Sequence, residues 1–215
     1  MTSDTLTVAL YLLIAIIPSV VLHEYAHAVV AERLGDPTPR RWGKRTLDPR
    51  PHIDPFGSII LPGLLLLLLA VGKGVLPFAY AKPTPLEPSY LRHRDRDETL
   101  VALAGPLANL AIAAAAGLVL RVVSVGEPAR FIRAVLVMNV ILFVFNLMPI
   151  PGLDGARIVA RFLHGRARDV YVNLHQYLPL FMLVIFFIFG APVIAIVQAL
   201  VTPICAGLAG GTCQI

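Results

Sequence analysis

The feature that most narrows the folds open to this chain is the length of its apolar runs. Residues 8–22 carry no charged side chain, and further predominantly apolar runs occupy residues 99–121, 131–148 and 178–201. Hydrocarbon offers no partners to a polypeptide backbone, so a segment crossing it must satisfy its hydrogen bonds as a helix or in a closed barrel. Runs near 20 residues have the length a membrane-spanning helix needs. Composition agrees: 57% of the 215 residues are hydrophobic and 14% charged, with a mean hydropathy of +0.78. The expectation is an all-α, polytopic membrane helix bundle in which residues 1–215 form a single membrane-embedded domain, since no polar stretch is long enough for a second one. The first run is not read as a removable signal peptide, because it lacks a basic n-region and exceeds an ordinary h-region in length.

Taken in order, residues 6–34 read as one helix bent at Pro18, where a backbone donor is missing, and ended by Gly35-Asp36-Pro37. Residues 35–56 are a basic, Pro-rich surface loop. The run 56–72 is ambiguous, because Pro62-Gly63 breaks it and Gly72-Lys73-Gly74 closes it early. Residues 75–98 pass through Ala81-Lys82-Pro83-Thr84-Pro85 to a charged cluster at 92–98. The spans 99–121 and 131–148 follow, the second running into Pro149, Pro151 and Asp154-Gly155. A basic amphipathic stretch (Arg157, Arg161, Arg166, Arg168) then leads to a last span at about 178–201.

Charge placement resolves the ambiguous run. All 18 Lys and Arg lie between Arg33 and Arg168. If 56–72 is a re-entrant hairpin, fifteen of them share one side and only Arg121, Arg130 and Arg133 lie opposite. If it crosses fully, the split is nine against nine. The positive-inside rule therefore predicts four full spans plus one re-entrant hairpin, with the basic side cytoplasmic and both termini outside. The net charge of +5 is accounted for by topology and anionic headgroups, and no nucleic-acid partner is expected. Cys205 and Cys213 have no zinc-site spacing and could pair if the tail faces an oxidising compartment.

Into the first apolar run is set His23-Glu24-Tyr25-Ala26-His27. Two imidazoles four apart share one helix face, the spacing that grips a single metal ion, and Glu24 stands one step round, within reach of a water there. Ionisable groups at membrane depth are costly and argue for a site. A catalytic zinc takes three protein ligands and keeps one position open. The candidates for the third are His52, Asp54, Asp154, His164 and His175. Asp154 is the best placed, since it follows a span broken by Pro149 and Pro151 and lies between Gly152 and Gly155. Irregular backbone is tolerated at that depth only where it is buried in protein or lines a wet cavity.

The pairing of His-Glu-x-x-His with Asn146-x-x-Pro-x-Pro-x-Leu-Asp154-Gly resembles the site-2 proteases, the intramembrane zinc metalloproteases. Ala104-Gly105-Pro106-Leu107-Ala108-Asn109, His52-Ile53-Asp54-Pro55-Phe56-Gly57 and Ala81-Lys82-Pro83 also look like motifs of that family's small bacterial members. The likeness covers about residues 15–160, in the expected order, with no PDZ-like or CBS-like addition. It implies that His23, His27 and Asp154 bind one Zn2+ per chain and that Glu24 is the general base, later protonating the leaving amine. Asn146 would support the substrate backbone or the oxyanion, as would Asn109 and His52. The implied substrate is a single-pass transmembrane protein, such as an anti-sigma factor or a remnant signal peptide, cut within or next to its membrane segment in the cell membrane.

Each residue also has a plainer reading. The His-Glu-His group could be a polar packing cluster between helices, and Asp154 a turn residue, since Asp-Gly is itself a turn signal. Asn109 could simply tie two helices together. His52, His164 and His175 could be interfacial, and Lys82 a headgroup anchor. A membrane metal-binding or transport protein without hydrolysis is the alternative function, disfavoured because such a site has no use for a base beside its ligands.

Overall fold

A computed structural model describes residues 3–60, 63–64, 67, 81–177, 180 and 190–210. The described residues are mostly helical and contain no strand. We number the helices α1 (Ser3–Arg33), α2 (Thr38–Arg41), α3 (Arg94–Leu120), α4 (Gly126–Asn146), α5 (Asp154–Ala160), α6 (Arg166–Asn173) and α7 (Gly190–Ala209). Three of them, over Leu10–Arg33, Arg94–Leu120 and Gly126–Asn146, are long and apolar enough to cross a membrane. Much of the hairpin expected at 56–72 and much of the span expected at 178–201 lie outside the described residues; Pro55–Ile60, at the hairpin's start, forms a π-helical turn.

Several boundaries depart from the sequence expectation for local reasons. Helix α3 starts five residues before the apolar run, at Arg94, because the buried Asp97 carboxylate accepts the His93 N–H at 2.9 Å and so holds the first turn. Helix α4 starts at Gly126, with Pro128 in its first turn, where a missing donor does no harm. At the C-terminus, α7 carries through Pro203 and ends at Ala209, not near 201; Gly210, at φ +72°, supplies the left-handed stop.

Helix α3 packs against both α1 and α4, α1 against α4, and α7 lies on α3 and α4. One stripe of α3, with Gly105, Asn109, Ala113, Ala116 and Leu120 three or four residues apart, is buried throughout. Small side chains let the backbones approach, which is how helices associate when no hydrophobic force drives them together. The apolar core combines Ala113 and Ala116 of α3 with Leu136, Val140 and Val144 of α4 and Val197, Val201 and Cys205 of α7. Cys205 is disulfide-bonded. Helix α1 presents Ala15, Ser19, His23 and His27 inward at intervals of four, while Ile14 and Ile17, each 57% exposed, face out. Polar groups inside and large apolar groups outside is the arrangement a bilayer favours.

Outside the bundle, short contacts tie the loops down. Asp36, fully buried, accepts the N–H groups of Thr38 and Glu87, both at 2.8 Å. The Lys44 ammonium donates to the Lys82 carbonyl at 2.7 Å, and burial pushes it below the usual lysine range. Arg168 of α6 reaches Glu98 at 2.8 Å and Asp95 at 3.3 Å on α3. The Tyr171 hydroxyl of the same helix donates to the Pro149 carbonyl.

Candidate metal centre

Each side chain of the centre is set by a different piece of local structure. His23 and His27 project from the inward face of α1. Asp154 is the first residue of α5 and arrives through a tight turn after α4, in which Gly152 takes φ +100°. Gly155 makes that turn fit, because a Cβ there would overlap the carbonyl oxygens of Leu147 and Met148. From α3, Gly105 faces the pair: a Cβ would come within 2.6 Å of His23 Nε2 and would overlap His27 Nε2.

The three groups converge. Asp154 Oδ2 lies 3.1 Å from His23 Nε2, Asp154 Oδ1 lies 3.2 Å from His27 Nε2, and the two Nε2 atoms are 3.1 Å apart. The far side of each ring shows where its proton is. His27 Nδ1 is 2.7 Å from the Val101 carbonyl, which can only accept, so Nδ1–H donates. His23 Nδ1–H donates to Asn109 Oδ1 at 2.6 Å. Held this way, each ring in its neutral form turns a bare Nε2 lone pair toward the other ring and toward a carboxylate. Asp154 Oδ2 is buried and has no hydrogen-bond partner. Acceptors so placed repel one another unless a cation lies between them. Tetrahedral zinc with ligands at 2.0–2.1 Å would set them roughly 3.3 Å apart. The donor set fits zinc, and among the described residues it is the single group of this kind.

Glu24 is buried beside the pair. Thr84 donates both its N–H (2.9 Å) and its hydroxyl (2.6 Å) to Glu24 Oε2, which fixes the plane of the carboxylate. Thr84 belongs to an irregular strap, residues 81–87, held by Lys82 N–H on the His52 carbonyl (2.9 Å), by Lys44, and by Asp36. A cavity of about 110 Å³ joins His23, Glu24, His27 and Asp154 to Thr84, Asn146 and Arg157. Among the described residues, Arg157 is the one Lys or Arg in that lining.

The remaining sequence candidates separate. Asn146 lines the cavity, its amide nitrogen bonded to the Leu142 carbonyl at 2.9 Å. Asn109 does not line it: fully buried, it holds His23 with its oxygen and Asn139 with its nitrogen. His52 is not in the lining either. Its Nε2 meets the Thr46 carbonyl at 3.1 Å and its own carbonyl anchors the strap, so it acts as a loop staple. Thr84, Gly105 and Asn139 escaped the sequence reading. Only Gly105 had a signal there, as part of the Ala104–Asn109 stretch that resembles a family motif.

Known proteins bear on this geometry. The profile for Peptidase family M50 matches residues 121–189. YwhC of Bacillus subtilis, named as a candidate zinc metalloprotease, is 34% identical over 187 residues, covering 82% of this chain and 80% of YwhC. The chain belongs to peptidase family M50. As a member of this site-2 protease family it is a zinc metalloprotease, a hydrolase, with helices apolar enough to span a membrane. Rip2 of Mycobacterium tuberculosis, also named as a candidate zinc metalloprotease, is 35% identical over 176 residues, 78% of this chain and 63% of Rip2. Rip2 of Mycolicibacterium smegmatis is 34% identical over 145 residues, 64% of this chain and 51% of that protein. The M50 chain thus spans less than two thirds of the mycobacterial relatives. No solved structure matches it.

Proposed function

We propose that this M50 peptidase is a multi-pass protein of the cell membrane. Acting as one membrane-embedded domain, it hydrolyses a peptide bond within or next to the transmembrane segment of a single-pass substrate. The carrying observation is that His23, His27 and Asp154 offer ligand atoms within 4.8 Å of one another, in a cavity that also holds Glu24 and is buried among helices of membrane-spanning length. One zinc, bound by these three side chains, would polarise the scissile carbonyl and make water acidic enough to attack near neutral pH.

The chain's own residues supply the rest. Glu24 takes the proton from the attacking water and returns it to the departing amine, so the carboxylate is regenerated. Thr84 keeps that carboxylate oriented through the turnover. Asn146 and Arg157, on the cavity wall, are suited to a substrate carbonyl as it gains negative charge. A transmembrane helix has its backbone bonds already made, so the substrate must unwind locally before it reaches Glu24. An anti-sigma factor or a remnant signal peptide, trimmed first by another protease, would meet these requirements.

The test is reconstitution with a panel of single-pass helices in liposomes, with cut sites mapped by mass spectrometry. Cleavage inside or at the edge of the apolar segment is expected, abolished by a chelator and restored by zinc. Bound zinc without cleavage across the panel would favour the metal-binding or transport reading.

A further inference from the structure

Behind His23 lies a chain of buried amides whose orientation is not free. Asn139 of α4 and Asn109 of α3 are both 0% exposed. The end of Asn139 touches three groups: the Val135 carbonyl at 2.8 Å, Ser19 Oγ at 2.9 Å and Asn109 at 3.1 Å. A carbonyl can only accept, so the atom of Asn139 facing Val135 is its NH2. The Ser19 hydroxyl proton is engaged by the Ala15 carbonyl at 2.7 Å, so Ser19 Oγ accepts from the same NH2. Both protons of that group are then used, and Asn139 is left with its oxygen toward Asn109. Asn109 must answer with its NH2, which leaves its oxygen for His23 Nδ1.

We infer that Asn139 is a positioning residue for the metal centre: anchored on the Val135 carbonyl and Ser19, it fixes the orientation of Asn109 and through it the proton of His23 on Nδ1. The lone pair of His23 is thereby kept on Nε2, facing Asp154 and His27. His27 needs no such relay, because a main-chain carbonyl cannot flip. The relay is required at His23 because a side-chain amide can present either face, and only one face leaves a ligand. This inference rests on the reading that His23, His27 and Asp154 hold zinc.

The experiment is zinc affinity of the purified full chain in detergent, measured by competition with a chromophoric chelator, together with thermal unfolding of the metal-free protein. Asn139→Leu removes the acceptor opposite Asn109, which can then turn its NH2 toward His23 and shift the ring proton to Nε2. Zinc affinity should fall by about 10–100-fold, the usual effect of losing an outer partner of a ligand histidine. Adding Asn109→Asp should restore it, because a carboxylate accepts from Nδ1–H whichever way it turns. A purely structural role would make affinity follow the metal-free Tm across these variants and would give no rescue. Asn139→Ala carries the same comparison if the leucine variant does not fold. Affinity unchanged in folded Asn139→Leu or Asn139→Ala, or no recovery in the double variant, overturns the relay. A parent chain that binds no zinc overturns the metal reading itself, and the relay with it.

Discussion

Two glycines of α3 use one device for different purposes. Near the C-terminal end Gly117 lets the α7 backbone come so close that a Cβ would lie 2.6 Å from the Leu208 carbonyl oxygen. Near the middle, Gly105 makes room for the rings of His23 and His27. Leu208 packs against an apolar cluster that includes Ala113, Ala116, Val140 and Val201, so this contact is apolar packing. Around Gly105 the neighbours are imidazoles with their lone pairs turned inward, backed by Asn109, Asn139 and Ser19. The same missing side chain serves packing at Gly117 and the candidate metal centre at Gly105. What distinguishes them is the partner, which α3 alone does not reveal.

That contrast can be broken from either end. The largest effect should come from Asp154→Ala, which leaves the His pair one ligand short: stoichiometric zinc and all measurable cleavage should disappear. A variant that kept both, by metal analysis and substrate assay, would remove Asp154 from the centre. Next comes Gly105→Ala. Overpacking of this kind costs about 1–3 kcal/mol, and here the rings must move, so zinc affinity should weaken roughly 5- to 150-fold. Gly117→Ala should cost about the same 1–3 kcal/mol, seen as a lower Tm with zinc affinity unchanged. If Gly117→Ala weakened zinc as much as Gly105→Ala, the division between the two glycines would fail. Smallest is Thr84→Val, which removes the hydroxyl bond to Glu24 and keeps the N–H bond. It should cost roughly 1 kcal/mol at the transition state, a fall in kcat of about fivefold, with zinc content intact.

What the chain discloses in advance follows from covalent spacing. The runs at 8–22, 99–121 and 131–148 announce helices because length and composition alone decide that question. His23 and His27 are readable as a pair because four residues on a helix is a fixed distance. Asp154 is readable only in combination with them, since Asp-Gly after two prolines describes a turn equally well. The rest depends on which helix faces which. Asn109 in a span signals a polar contact without naming the partner, and the partner is a ring nitrogen rather than a substrate. His52 carries no mark separating a loop staple from a site residue. Thr84 lies sixty residues from Glu24, and only the strap through Lys44, His52 and Asp36 brings the two together. The extension of α7 to Ala209 was hidden by Pro203 and the small residues around it, which suggest an ending that packing against α3 and α4 overrides.

One cavity holds both the proposed zinc ligands and the base that would act there. The most direct measurement is paired: zinc per chain and cleavage rate of a transmembrane substrate, for the parent and for Glu24→Gln. One zinc per chain in both proteins is predicted, with cleavage slowed by about 10²–10⁴-fold in the variant, the range for loss of a general base. Cleavage by Glu24→Gln at the parent's rate, with zinc bound, would contradict it.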